Sequence, residues 1–158
     1  MKKQKILYVH GFNELPNSEL FNKLKDEIDN NKYELISDYY AQYNPEEAVY
    51  DLNHIIQNNH IDILIGHDLG GYLITLLYND LIKILIDPVY NPVNALTKLD
   101  APKHIIEFYK NSELKPVNFD KTYCVFISGN DYKEYANVCK NTTKQEDINS
   151  INKILNEI

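Results

Sequence analysis

The residues best suited to chemistry lie in one short segment, Gly66-His67-Asp68-Leu69-Gly70. An apolar run at 61–65 precedes it, and a segment with helical spacing follows it. Glycines two positions before and after a central residue permit a sharp turn from strand to helix, which lifts the central side chain above the sheet. Ser, the nucleophile of such turns, is the usual central residue, whereas here it is Asp68. The segment therefore indicates a catalytic or binding position whose reactive group is a carboxylate.

A second segment, His10-Gly11-Phe12, follows the first apolar run at 5–9. Where a strand–turn–helix presents a nucleophile, the loop after an earlier strand supplies one backbone N–H of the oxyanion hole, and the residue after the nucleophile supplies the other. Those donors would be the N–H of Phe12 or Asn13, together with that of Leu69. The alternative is an ordinary turn at the end of a strand, and the turn around Asp68 favours the functional interpretation.

The elements that must position these residues alternate along the chain. Apolar runs rich in strand formers predict five strands, at 5–9, 33–37, 61–65, 82–86 and 122–127. Helical spacing predicts helices from 18 to about 28, from 44 to about 59 and from 70 to 79, two short ones within 92–118, and others at 131–140 and 144–157. This alternation predicts one α/β domain over residues 1–158, with a parallel sheet covered on both faces. In such sheets the site lies at the carboxyl ends of the strands, here the segments 10–15, 66–71, 87–92 and 128–132.

Several motifs together resemble the small YqiA/YcfP-type esterases of the α/β-hydrolase superfamily. They lie in the family's order and spacing between about residues 5 and 139, and they are Leu7–Asn13, Asn44–Ala48, Gly66–Tyr72, Ile86–Val89 and Ser128–Asp131. The resemblance implies a three-layer α/β-hydrolase-like fold, with a mostly parallel sheet of about five strands and no large cap domain. It also places Asp68 at the nucleophile position, and Asp131 or Asn130 at the position of the catalytic acid.

Two departures from this family concern the catalytic residues. The family has Ser where this chain has Asp68. The family also ends with a strand and a glycine-rich loop that carries the catalytic His, whereas here only 140–143 separates two predicted helices, and no His follows His104. We therefore expect the base of the triad to be absent. Among the five histidines only His10 is placed near Asp68; a pair between them would raise the pKa of His10, but a structural role for His10 is favoured.

Two functional hypotheses follow from these departures. In the first, the chain is a non-catalytic binding or interaction protein that has lost its triad. In the second, it is a hydrolase with a rebuilt site in which Asp68 is the nucleophile or the base, since the turn is also similar to that of haloalkane dehalogenases and epoxide hydrolases. A histidine within hydrogen-bond reach of Asp68 would favour the second. The carboxylate itself suits a cation, an amine or a neutral ligand better than the anionic intermediate of ester hydrolysis.

Composition excludes several classes of partner. The net charge is −7, and all 16 basic residues are Lys. Without the arginine fork, the chain is not expected to bind nucleic acid. The apolar runs are too short to span a bilayer, and two cysteines form neither a disulfide framework nor a metal site. We expect no cofactor, an unidentified small molecule or protein as partner, and a location in the cytoplasm, or in the host cytoplasm if the source is a phage.

A weaker indication of a protein partner comes from the 13 tyrosines of the chain. Several are predicted to lie in loops near the strand ends, where this residue type is common at interfaces. They are Tyr39, Tyr40, Tyr43, Tyr132 and Tyr135.

Overall fold

The computed structural model describes residues 1–117 and 119–158. In this part of the chain six strands form one sheet, and every neighbouring pair is parallel. The order across the sheet is β2-β1-β3-β4-β5-β6. The strands are β1 (Gln4–Val9), β2 (Tyr33–Ser37), β3 (Ile63–His67), β4 (Ile82–Ile86), β5 (Thr122–Phe126) and β6 (Thr142–Lys144).

The helices cover both faces of this sheet, which gives the three layers expected from the sequence. They are α1 (Glu19–Glu27), α2 (Pro45–Asn59), α3 (Leu69–Thr75), α4 (Pro92–Lys98), α5 (Lys103–Asn111), α6 (Tyr132–Val138) and α7 (Asn149–Glu157). Buried residues of α2 to α6 belong to the core on one face, and those of α1 and α7 to the core on the other. No helix among the described residues has both the length and the apolar character that crossing a bilayer requires.

Alternation along the strands explains why the sheet has two cores. In β1, Leu7 and Val9 pack into the core beneath α2 and α3, whereas Ile6 and Tyr8 pack into the core beneath α1 and α7. Successive strand side chains point to opposite faces. A strand that is covered on both faces must therefore be apolar at every position, as β1 is from Ile6 to Val9.

The start of α2 confirms the interpretation of its sequence. The side chain of Asn44 accepts hydrogen bonds from the N–H groups of Glu46 and Glu47, and Pro45 is the first helical residue. An Asn cap satisfies donors that the helix itself cannot, and proline fits the first position because it has no N–H to satisfy. These local signals fix the entry of α2 regardless of the rest of the fold.

The expectation for the C-terminal segment is wrong in one respect. Residues 140–143 do not merely link two helices, because Thr142–Lys144 forms β6, which pairs in parallel with β5. The last helix consequently begins at Asn149 rather than near Lys144. Three residues at the exposed edge of a sheet carry too few apolar side chains to show an alternating pattern. The sequence pattern therefore did not predict this strand.

The packing of α3 onto the strand ends depends on glycine. A Cβ atom at Gly70 would lie 2.2 Å from the carbonyl oxygen of Val9 and 2.4 Å from that of His10. A Cβ at Gly66 would lie 2.8 Å from the carbonyl oxygen of Gly70. The first turn of α3 thus lies directly on the backbone of β1 and β3, and this close approach fixes the position of the residue between those glycines, Asp68.

Candidate functional site

The turn between β3 and α3 holds Asp68 in an unusual backbone conformation. Its φ is 54° and its ψ is −121°, a region that costs a non-glycine residue about 1–3 kcal/mol and is populated mainly where surrounding structure enforces it. The enforcing bonds are present: the Asp68 N–H donates to Ile86, and the Asp68 carbonyl accepts from Tyr72 and Val89 at 3.1–3.3 Å. The conformation therefore marks Asp68 as a candidate functional residue.

The Asp68 side chain is half-buried and lies against the loop that follows β1. A Cβ atom placed on Gly11 would be 3.1 Å from both Cβ and Oδ2 of Asp68, and 3.2 Å from Cδ of Glu14. Two carboxylates therefore flank the same glycine. Because Gly11 has no side chain, the carboxylates of Asp68 and Glu14 can both lie beside it.

The fold does not pair His10 with Asp68. His10 is completely buried; its Nδ1 lies 3.2 Å from the Gly11 carbonyl oxygen, and its ring contacts Tyr40 at a centroid distance of 4.8 Å. The Tyr40 hydroxyl donates to the His10 carbonyl at 2.6 Å. Burial lowers the pKa of His10, the opposite of what a pair with Asp68 would produce. These contacts favour a structural role for His10.

A different histidine is paired with a carboxylate. His67, the last residue of β3, places Nδ1 3.1 Å from Oε1 and 3.4 Å from Oε2 of Glu14. Oε2 of Glu14 also accepts the Gly11 N–H at 2.9 Å. Glu14 lies within the segment 10–15 that was expected at the site, but no role was predicted for it. The detectable signal was a carboxylate three residues after Gly11 in a loop at the sheet edge.

The two partners shift each other's pKa. Burial acts to lower the pKa of His67, but the hydrogen bond and charge of Glu14, with the charges of Asp68 and Asp87, outweigh it and raise the pKa. Burial acts to raise the pKa of Glu14, but the hydrogen bonds from His67 and Gly11 outweigh it and lower the pKa. Both shifts favour the charged forms, so the pair is an ion pair over the pH range between the two pKa values.

His67 and Glu14 face an open groove of about 740 Å³ beside the start of α1. The groove is also lined by Ser18, Asp87 and Ser128. Asp68 is not among its lining residues in the described chain. His67 thus faces the groove through its pair with Glu14.

Asp87, for which the sequence predicted no site role, is a second strained carboxylate at the sheet edge. Its φ is 44°. Its oxygens accept the backbone N–H groups of Ile127, Ser128 and Gly129 at 2.7–3.3 Å and the Ser128 hydroxyl at 3.2 Å. Consecutive N–H groups of this kind form an anion-binding concavity. Asp87 fills it and thereby ties the end of β4 to the end of β5.

Asp131, the expected acid, lies in the neighbouring loop and binds the backbone. Its Oδ2 accepts the Tyr90 N–H at 2.9 Å, and the adjacent Val89 N–H donates to the Asp68 carbonyl. Asp131 is thus connected to Asp68 through the β4–α4 loop. No histidine is bound to Asp131 in the described chain.

The remaining histidines are exposed and lie on other elements. His54 contacts Tyr50 within α2, and His60 ends that helix. His104 contacts Phe108 within α5. The loop after β6, where the esterases carry their base, contains Gln145, Glu146 and Asp147 instead.

The structure distinguishes between the candidate oxyanion donors. The N–H of Asn13 donates to Oε1 of Gln42 at 2.7 Å, and Asn13 itself has a positive φ of 59°. The N–H groups of Phe12 and Leu69 donate to no described residue. Of the two donors considered in the β1 loop, Phe12 is therefore the one that remains available beside Leu69.

The five tyrosines expected near the strand ends differ in exposure, and Tyr132 is half-buried beneath Lys144. Tyr39 and Tyr43 are exposed. Tyr40 and Tyr135 are buried, and the Tyr135 hydroxyl donates to the Val89 carbonyl at 2.8 Å. Tyr40 and Tyr135 are therefore core residues whose hydroxyls bind loop carbonyls from inside, and they give no indication of an interface.

Six parallel strands between helical layers, with a strained strand-to-helix turn at their carboxyl edge, define an α/β-hydrolase-like fold without a large cap. The chain belongs to the Uncharacterised protein family (UPF0227), whose model matches residues 5–149. This match confirms the resemblance to YqiA/YcfP-type esterases.

Solved structures with the same fold include two esterases. Est1E from Butyrivibrio proteoclasticus is 11% identical at a TM-score of 0.72, over 99% of this chain and 88% of that one. The esterase EaEST from Exiguobacterium antarcticum is 13% identical at a TM-score of 0.61, over 90% of this chain and 82% of that one. At these identities the likeness supports the fold alone. No curated protein matches the chain.

Proposed function

We propose that the chain is a non-catalytic member of its family that binds a small molecule through a positively charged group at Asp68. The observation that carries this proposal is that neither histidine near the turn serves Asp68. His10 is buried against the Gly11 carbonyl, and His67 is bound to Glu14. A nucleophilic or basic carboxylate needs a partner that activates water or takes up its proton, and the described chain offers none.

The charge of the site supports a cationic ligand. The carboxylates of Asp68 and Glu14 flank Gly11, and His67 compensates only one of them. Asp68 is half-buried, so a charge brought next to it is less screened than one at the open surface. An ammonium group can donate to the Asp68 carboxylate and form a charge-assisted hydrogen bond. The same carboxylate repels the oxyanion that an ester substrate would form.

Calorimetric titration with matched small molecules tests this proposal. The probes are ethylamine, its neutral analogue ethanol, and propionate. We expect ethylamine to bind to the wild type. Asp68→Asn should weaken the affinity for ethylamine by about tenfold, as expected for loss of a hydrogen bond to a charged group. The control Asp26→Asn, at an exposed position, should leave the affinity unchanged. Equal binding of ethylamine and propionate, or an unchanged affinity in Asp68→Asn, would contradict the proposal.

A second candidate function is a hydrolase with a rebuilt site, in which Asp68 is nucleophile or base. The pair of Glu14 and His67 favours it, because a carboxylate that binds Nδ1 orients an imidazole for proton transfer. Turnover of neutral esters that is lost in both Asp68→Ala and His67→Ala would support this candidate. Turnover that survives Asp68→Ala would exclude Asp68 as its nucleophile.

The remaining proposals concern partners and location. A protein partner remains the alternative to a small molecule, and we propose neither nucleic acid nor membrane. The exclusion of nucleic acid rests on the net charge of −7 and the absence of Arg. A cytoplasmic location, in a host cell if the source is a phage, stays a prediction.

A further inference from the structure

A second pocket, which the candidate site does not use, lies at the other end of the strands. Its volume is about 390 Å³, and its lining includes Asn79, Asp80, Lys83, Lys121 and Thr122. Lys83 is the second residue of β4 and Thr122 the first of β5. Because all strands are parallel, this pocket lies at their amino ends. A five-residue strand of roughly 15 Å separates it from the edge that carries Asp68.

Lys83 is a buried amine with an incomplete set of acceptors. Lys83 is 3% exposed, and its Nζ donates to the Leu77 carbonyl at 2.7 Å. That carbonyl is its one acceptor among the described residues, whereas an ammonium group has three N–H donors. The Leu77 carbonyl, just beyond α3, accepts one of the three N–H groups of the Lys83 ammonium. The other two N–H groups have no acceptor among the described residues.

Asn79 supplies another unsatisfied donor in the same pocket. Its Oδ1 accepts the Leu81 N–H at 3.1 Å, which fixes the orientation of the amide. Its Nδ2 is buried and donates to no described residue. A buried donor without a partner costs about 1–3 kcal/mol, and buried polar groups in native proteins are nearly always paired. The unpartnered Asn79 amide and the Lys83 ammonium, which has one acceptor among the described residues, favour an acceptor supplied by a ligand.

We propose that this pocket binds a small carboxylate, whose oxygens accept from Lys83 and Asn79. One negative charge matches the single buried ammonium. The exposed Asp80 in the lining disfavours ligands of higher charge, such as phosphate dianions. The mixed apolar and polar walls, with Tyr78, Leu81 and Val117, can accommodate a short hydrocarbon or aromatic body behind the carboxylate.

Protonation of Lys83 sets the pH range of binding. Burial lowers the pKa of Lys83 to about 8, so part of the population is neutral just above neutral pH. A carboxylate next to Nζ favours the charged form and raises that pKa. Affinity for the carboxylate should therefore decline as the pH rises above about 8, whereas that of an uncharged analogue should not.

Titration by NMR with benzoate, benzamide and inorganic phosphate tests the inference. We expect benzoate to shift the Asn79 side-chain amide signals and to bind more tightly than benzamide and phosphate. Lys83→Met keeps the apolar stem and should weaken benzoate binding by about tenfold. Lys98→Met, at an exposed position of α4, serves as the control. Asp68→Asn should bind benzoate like the wild type, which separates this site from the one at the opposite edge.

Three outcomes would overturn the inference. They are equal affinity for benzoate and benzamide, unchanged affinity in Lys83→Met, and no benzoate-dependent shift at Asn79, which would mean that water alone satisfies the donors. If Lys83→Met does not fold, the wild type still decides the question. Benzoate affinity that is constant from pH 7 to 9 would contradict the role of Lys83.

Discussion

Asp68 has a strained backbone at the turn between β3 and α3, and we propose that its carboxylate binds a ligand rather than reacting. Its φ of 54° persists, although the carboxylate has no histidine bound to it in the described chain. Strain of this kind costs stability, and a function that uses the half-buried carboxylate would account for that cost. Binding of a positive charge is such a function, because it needs the position of the side chain and no base.

Esterase activity should be absent from the wild type and should not return with Asp68→Ser. Catalysis by a serine depends on nucleophile, base and oxyanion donors as a unit. The hydroxyl introduced by this substitution would have the two backbone donors Phe12 and Leu69 but no base. We expect hydrolysis of short-chain p-nitrophenyl esters at the buffer rate for both proteins. Wild-type hydrolysis that is lost in Asp68→Ala would contradict this expectation.

The ion pair of Glu14 and His67 should make stability depend on pH in a defined window. The raised pKa of His67 gives stabilisation that is complete below its ordinary value of about 6.5 and is lost as the pH rises through the folded-state pKa. The lowered pKa of Glu14 gives stabilisation that is complete above its ordinary value of about 4.3 and is lost as the pH falls through its folded-state pKa. The pair therefore contributes most between those ordinary values.

His67→Gln should reveal this window in urea unfolding. We expect it to lower the free energy of unfolding by about 1 kcal/mol at pH 5.5, and by less at pH 9. Glu19→Gln, which removes the fully exposed pair with Lys23, should show no such pH dependence. A difference between wild type and His67→Gln that is constant across this range would contradict the assigned ion pair.

At the scale of the element, Gly70 in α3 leaves less room for an added methyl group than any other of the five glycines. Gly70→Ala would place Cβ on the backbone carbonyls of Val9 and His10, which cannot rotate away. Gly11→Ala meets only side-chain atoms of Asp68 and Glu14 at 3.1–3.2 Å. We expect Gly70→Ala to cost more than about 3 kcal/mol, in the range of severe overpacking, and Gly11→Ala clearly less. Chemical denaturation of both variants measures the difference, and equal costs would contradict the described packing.

Most elements were predictable because their signals are local. The apolar runs at 82–86 and 122–127 and the Asn-Pro start of α2 can each be recognised from residues that are neighbours in the sequence. β6 was not, because its three residues are held by pairing with β5, and pairing between distant segments leaves no mark in a short polar sequence. The start of α7 was misplaced for the same reason.

The positions of the candidate residues could be predicted from the sequence, but their contacts could not. The end of each strand could be placed at one edge, which brought Asp68, His10 and Asp131 into one region. The sequence could not show that Glu14 would bind His67, or that Asp87 would accept three N–H groups. Those contacts depend on loop conformations with positive φ at Asn13 and Asp87, which tertiary packing selects.

At the scale of the whole molecule, the sheet is shared by two cores and should unfold as one unit. Leu52 of α2 is buried on one face and Leu155 of α7 on the other. Either change to Ala should cost about 2–5 kcal/mol. Tyrosine fluorescence and far-ultraviolet circular dichroism should give coincident urea transitions in each variant, as cooperative unfolding requires. Exposed Ile158→Ala is the control, and separate transitions in Leu155→Ala would show that the α1–α7 layer unfolds independently.

The carboxylate of Asp87 serves the β5 loop as a covalently attached anion. Asp87→Gly would remove that anion and leave the cavity of three N–H groups open, at a position where a positive φ suits glycine. Added formate or acetate should then stabilise this variant by occupying the cavity. Once the cavity is saturated, the free energy of unfolding should rise with the logarithm of the anion concentration. The wild type should show no such response, because it contains its own occupant. Rescue by a small free anion would identify Asp87 as an intramolecular substitute for a ligand.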